Sequence, residues 1–108
     1  MKSKIFLPFV PPGGSKSKQR QKFIRDVKDY LIANRLLRGY VEGSHLKAIV
    51  CFHYMTEQTK DIDNSLKGLF DATKGLLYRD DQDIKDVHAK IITDSDKVGI
   101  DIRIFKLK

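Results

Sequence analysis

Asp61 and Asp63 bracket a single isoleucine, Lys67 follows four residues after Asp63, and Asp80 and Asp81 stand together beyond an apolar segment. Carboxylates gathered like this suit magnesium, a hard cation that takes oxygen ligands. Such an ion neutralises a phosphodiester and generates hydroxide near neutral pH, the two needs of its hydrolysis. In an extended segment, residues two apart project from the same face, so Asp61 and Asp63 would face one ion. A helix starting at 63 puts Asp63 and Lys67 on one side. The lysine then reaches a phosphate oxygen and stabilises charge in the transition state or on the leaving group. The start of that helix adds a partial positive field, which favours both carboxylates and phosphate. For Asp80 or Asp81 to join them, the chain must run back along the helix, as it does if Asp81 opens the next strand.

Each feature alone has a structural explanation. An Asp-x-Asp at a helix start is commonly a cap, a lone lysine a solvated helix residue, and an Asp pair a turn. Their conjunction favours the ionic site. Clustered acids repel one another, and a chain of net charge +7 does not need them for solubility.

That charge and a pI of 9.6 point to a polyanionic partner, nucleic acid ahead of an anionic membrane, because no Trp is present to anchor a basic helix in lipid. No apolar run approaches the ~20 residues that cross a bilayer. The opening "MKSKIFLPFVPP" is broken by prolines and reads as a strand, not a signal peptide. A single cysteine, Cys51, excludes an intrachain disulfide and argues against a Cys-based zinc site. A DNA-associated protein of the reducing cytosol fits. His45, His53 and His88 lie far apart, without metal-ligand spacing.

The elements that position these residues follow from periodicity. The 108 residues suit one domain, 1–108. Residues 4–9 read as a strand, and "VPPGGSKSKQR" as a basic loop. Residues 18–38 read as a helix, with Phe23, Val27, Tyr30, Leu31 and Asn34 on one face and Gly39 as its stop. Lys22, Arg25, Lys28 and Arg35 face away. "LKAIVCFHYM", 46–55, is apolar on both faces, as a central strand or a subunit contact would be. Residues 63–77 form a second helix, capped by Asp63 or Asn64, with Leu66, Leu69, Phe70, Thr73, Leu76 and Leu77 inward. Two alternating strands, 83–93 and 98–107, are expected to pair as a hairpin. The order β-α-β-α-β-β predicts a small α/β (α+β) fold, a four-stranded mixed sheet covered by two helices.

"DIDNSLKGLFDATKGLLYRDDQDI" resembles the signature of the RusA family of Holliday-junction resolvases: D-x-D-N-x-x-K, an apolar helix with "FDA", then an Asp pair before a strand. "LPFVPPGGSKSKQR" resembles the family's opening strand, proline pair and basic loop. The resemblance implies metal-binding carboxylates at Asp61, Asp63 and Asp81, a catalytic lysine at Lys67, magnesium as cofactor, and a homodimer that makes paired nicks in four-way DNA junctions. The role of Asp80 stays open. Some relatives carry several arginines before D-x-D; here the loop is "TEQTK", with Lys60 its one cation. Lys16, Lys18, Arg20, Lys22, Arg25 and Lys60 are the candidate phosphate contacts. Branched DNA is the expected partner, with no membrane and no small-molecule substrate. Two other readings share these features: an architectural DNA-binding protein whose acids are structural, and a nuclease for other branched nucleic acids.

Overall fold

The computed structural model describes residues 2–11, 17–57 and 61–107. Lys16 and Lys60 lie outside them. The elements run β1 (Lys2–Leu7), α1 (Ser17–Ala33), a 3-10 turn (Leu36–Gly39), β2 (Leu46–His53), α2 (Ile62–Thr73), a second 3-10 turn (Asp81–Asp83), β3 (Ile84–Ile92) and β4 (Gly99–Lys106). This is the expected order: two helices and one four-stranded mixed sheet. No helix among the described residues is long and apolar enough to cross a membrane.

The core lies between the helices and one face of the sheet. Alternate strand residues point into it: Ile5 and Leu7 on β1, Ala48, Val50 and Phe52 on β2, Ile100, Ile102 and Ile104 on β4. Phe23, Val27 and Leu31 recur every four residues on α1 and bury the stripe that faces them. Each large side chain so buried stabilises the fold by roughly 1.5–3 kcal/mol before entropy is set against it. Phe9 packs edge-on against Phe23 and Tyr30 of α1, at ring-centroid distances of 6.0 and 5.8 Å.

The expected hairpin does not form. The strand order is β1-β4-β2-β3, with β3 parallel to β2 and β4 antiparallel to both β2 and β1. The reason lies in α2. A helix that runs back along β2 returns the chain to the start of β2, so the next strand runs parallel to it. β4 then takes the other side of β2. Its three isoleucines, at most 2% exposed, face the helices from the middle of the sheet. β3 carries Lys85, Asp86, His88 and Lys90, and such charges are tolerated on an edge. The two-faced apolar character of β2 thus reflects a central position. Its inward residues are buried, and Lys47, Ile49, Cys51 and His53 are half-buried on the other face.

Both helices are shorter than their apolar periodicity suggested. α1 ends at Ala33, where Asn34 Nδ2 donates to the Tyr30 carbonyl and Arg35 turns left-handed at φ 56°. Gly39 only closes the following 3-10 turn. α2 ends at Thr73, where Lys74 leaves the helix with ψ 134° while its amide still bonds the Phe70 carbonyl, and Tyr78 packs its hydroxyl onto this last turn. The Tyr78 hydroxyl donates to the Phe70 carbonyl and pairs with Thr73 Oγ1, and burial pushes its pKa far up. Leu76 and Leu77 belong to the turn between, where Gly75 sits at φ 79°.

Gly99, at the start of β4, has φ 157°. A Cβ there would lie 2.5 Å from the Leu7 carbonyl oxygen and closer still to the Phe6 ring, whereas one at Gly75 would meet nothing within 4 Å. Gly99→Ala should therefore cost about 2 kcal/mol or more, and Gly75→Ala only the backbone strain, about 1 kcal/mol. Thermal melts of the two variants check this; equal melting temperatures would contradict it.

Candidate active site

Asp61 begins the site. It is the N-cap of α2, in extended conformation, and its Oδ1 accepts the Asp63 amide at 2.9 Å. The cap is therefore Asp61, not Asp63 or Asn64 as the sequence suggested. The short, extended carboxylate reaches over the first turn, where helix amides have no partner of their own. Asp63 follows in the first turn and Lys67 one turn later. All three side chains are exposed. Ser65 anchors the same turn from inside, its amide and hydroxyl both donating to the Asp61 carbonyl at 3.1 and 3.0 Å. The Asp-x-Asp segment is half extended and half helical, so its two carboxylates flank the positive end of α2 without forming an extended ladder.

Asp81 lies elsewhere. It opens the 3-10 turn ahead of β3, beyond the far end of α2 and electrostatically close to Lys74 and Asp71. A 12-residue helix, the length of α2, spans ~18 Å. Among the described residues, no three His, Cys, Asp or Glu side chains converge to hold a metal ion. Asp61 and Asp63 thus stand at one end of α2, with Lys67 a turn further in, and Asp81 lies beyond the other end.

Asp80 and Asp81 act on one another. A hydrogen bond between the two carboxyls raises Asp81, with burial and the charge of Asp80 adding to it, and lowers Asp80. Asp80 Oδ1 also accepts the Gln82 amide at 3.3 Å. Asp83, which sequence reasoning passed over, is buried and grips Arg79 in a two-pronged pair, at 2.9 Å from Nε and 2.7 Å from Nη2. That bond holds its carboxyl below the usual range. The spacing of Arg79 and Asp83 across the turn was the signal for it.

Magnesium is commonly held by one or two carboxylates, with waters and substrate phosphates completing its shell. Asp61 and Asp63 meet that requirement. Both are exposed, and Asp61 Oδ2 makes no hydrogen bond among the described residues. The N-terminal field of α2 favours a phosphate at the same place.

The basic set divides. Arg20 Nη2 pairs with Asp71 at 2.9 Å and ties α1 to α2, and Lys22 Nζ pairs with Asp26 at 2.8 Å on its own helix. Lys18 and Arg25 are exposed and have no ion pair among the described residues.

A family model described as Endodeoxyribonuclease RusA matches residues 6–104. No curated protein matches the chain.

The cap and the charge of Asp61 are separable. Asp61→Ala should lower stability by about 1 kcal/mol, while Asp61→Asn, an equally good cap, should leave it near the parent. Asp63→Ala should cost less than Asp61→Ala. Denaturant unfolding of the three variants measures the order, and equal losses for the two Asp61 variants would show that the cap contributes nothing.

Proposed function

We infer the activity from a single premise: the chain belongs to the RusA endodeoxyribonuclease family. It is an endodeoxyribonuclease by family, and the finer reading is a magnesium-dependent resolvase that cuts four-way DNA junctions by paired nicks during recombination or repair. The observation that carries the assignment of residues is the start of α2, where two exposed carboxylates and a lysine occupy the first turns of one helix.

Asp61 and Asp63 would hold the magnesium, and Lys67 would sit against the scissile phosphate. Magnesium, when bound, supplies charge neutralisation and an activated water. Asp61 also fixes the end of α2, so the groups facing the phosphate stand on a rigid element. Lys67 adds a fixed positive charge where the transition state or leaving group gains negative charge.

Asp81 enters this reading through a second copy. A two-fold axis perpendicular to α2 and beside it would set the helices of two copies antiparallel. The Asp81 end of one helix then faces the Asp61–Asp63 end of the other. Two such sites related by symmetry match the two strands a junction resolvase must cut.

The separation along α2 also favours a rival. If the acids only cap and pair, as Asp61 and Asp83 do, the protein binds branched DNA without cutting it. Asp63→Asn separates the two. Its shape is retained and the cap stays with Asp61, so melting temperature should stay close to the parent. Nicking of a labelled synthetic junction in magnesium should fall by orders of magnitude, and junction affinity without metal should hold or tighten. Lys67→Ala should lose nicking with metal affinity largely retained. An Asp63→Asn protein that nicks within a few-fold of the parent would remove the nuclease assignment from this end of α2.

A further inference from the structure

The helices cover one face of the sheet and leave the other open. On that face, Lys47, Ile49, Cys51 and His53 of β2 stand opposite Phe105, Arg103, Asp101 and Gly99 of β4. An open groove of about 530 Å³ runs over a floor that includes Ile49 and Ile92, between Lys4, Lys90, Lys97 and Arg103. Cys51 lies in this floor, where burial raises its thiol pKa.

The groove has one acid, Asp101, and it is already engaged. Its Oδ2 lies 2.7 Å from His53 Nε2 and 3.8 Å from Lys97 Nζ. His53 is in turn fixed on its other side, with Nδ1 3.2 Å from Ser95 Oγ. Lys97 also lies over the Phe6 ring, 4.7 Å from its centroid. Lys4, Lys90 and Arg103 have no carboxylate within ion-pair distance among the described residues.

This arrangement works against the fold. Lys4 and Arg103 are direct partners across β1 and β4, and like charges facing each other across an antiparallel pair are destabilising. A face that only had to stay solvated would alternate signs, as Lys47 and Asp86 do across β2 and β3 at 3.4 Å. The unbalanced positive charge is complementary to a polyanion. The apolar floor between the cations suits the sugar carbons that separate phosphates along a strand.

We propose that the open face of the sheet is a second DNA-backbone surface, in which Lys4, Lys90 and Arg103 contact phosphates. The proposal rests on the nuclease reading only for its choice of DNA as the polyanion. Lys18 and Arg25 belong to the helical layer on the other side of the sheet. One protomer therefore presents phosphate-binding groups on two sides, which suits a branched substrate whose arms leave in different directions.

The test is the affinity of the full chain for a four-way junction and for a linear duplex, without metal and over a range of salt concentrations. Lys4→Gln, Lys90→Gln and Arg103→Gln should each reduce the steepness of log affinity against log salt by roughly 0.9. Arg38→Gln removes the same charge from an exposed position outside the groove, and should leave the slope at the parental value. Lys4→Gln should also raise the melting temperature by relieving repulsion with Arg103. Slopes indistinguishable from the parent or from Arg38→Gln would overturn the proposal. So would unchanged slopes with a loss of particle mass by light scattering, which would make this face a contact between copies. Failure of the nuclease reading would look different: a parental protein that binds junctions yet leaves them uncut in magnesium.

Discussion

Parallel strands cannot be joined by a tight turn, so the link from β2 to β3 must cross over the sheet, and here α2 is that crossover. Its length and direction decide most of the architecture. It places β3 at an edge, leaves the second side of β2 for β4, and covers one face of the sheet. It also fixes the two groups of acids at opposite ends of one rigid element. Asp61 serves both roles at once, closing the open amides of the first turn and presenting a carboxylate to solvent. Tyr78 and the Arg79–Asp83 pair secure the other end, so Asp81 leaves a well-anchored turn.

The two-layer build gives each side of the molecule a different task. The helical side buries the core and carries the candidate metal ligands at the start of α2. The sheet side is uncovered, and its one groove acid is engaged by His53 and Lys97. Charge separated in this way costs some stability where Lys4 meets Arg103. Functional surfaces are where such local costs are expected.

Element types and order were legible because they depend on local periodicity: the spacing of Phe23, Val27 and Leu31, and the alternation of Ile100, Ile102 and Ile104. Strand neighbours were not. Alternation tells which face of β4 is buried but not which strand lies beside it, and sequence proximity favoured a hairpin where β4 instead pairs with β1 and β2. Helix ends were misplaced for a similar reason. Leu76 and Leu77 continue the apolar period past Thr73, although the backbone leaves the helix at Lys74 and Tyr78 folds back onto its last turn. The candidate site was half legible. Asp61 and Asp63 stand at the start of α2 with Lys67 one turn further along it, as their spacing implied. The distance to Asp81 is set by the helix between them, which no spacing rule overrides within one chain. The commitment of Arg20 to Asp71 was equally hidden, because its partner is 51 residues away.

The central claim is that Asp61 and Asp63 of one copy act with Asp81 of another. Mixing the Asp63→Asn and Asp81→Asn variants after co-refolding, then measuring nicking of a four-way junction in magnesium, tests it most directly. Each variant alone should be inactive. In the mixed dimer one site carries both changes and the other carries none, so nicking should return, largely on one strand without its paired cut. If the mixture stays as inactive as the separate variants while mixed dimers are shown to form, the acids of a working site belong to a single chain, and the site shared between copies is contradicted.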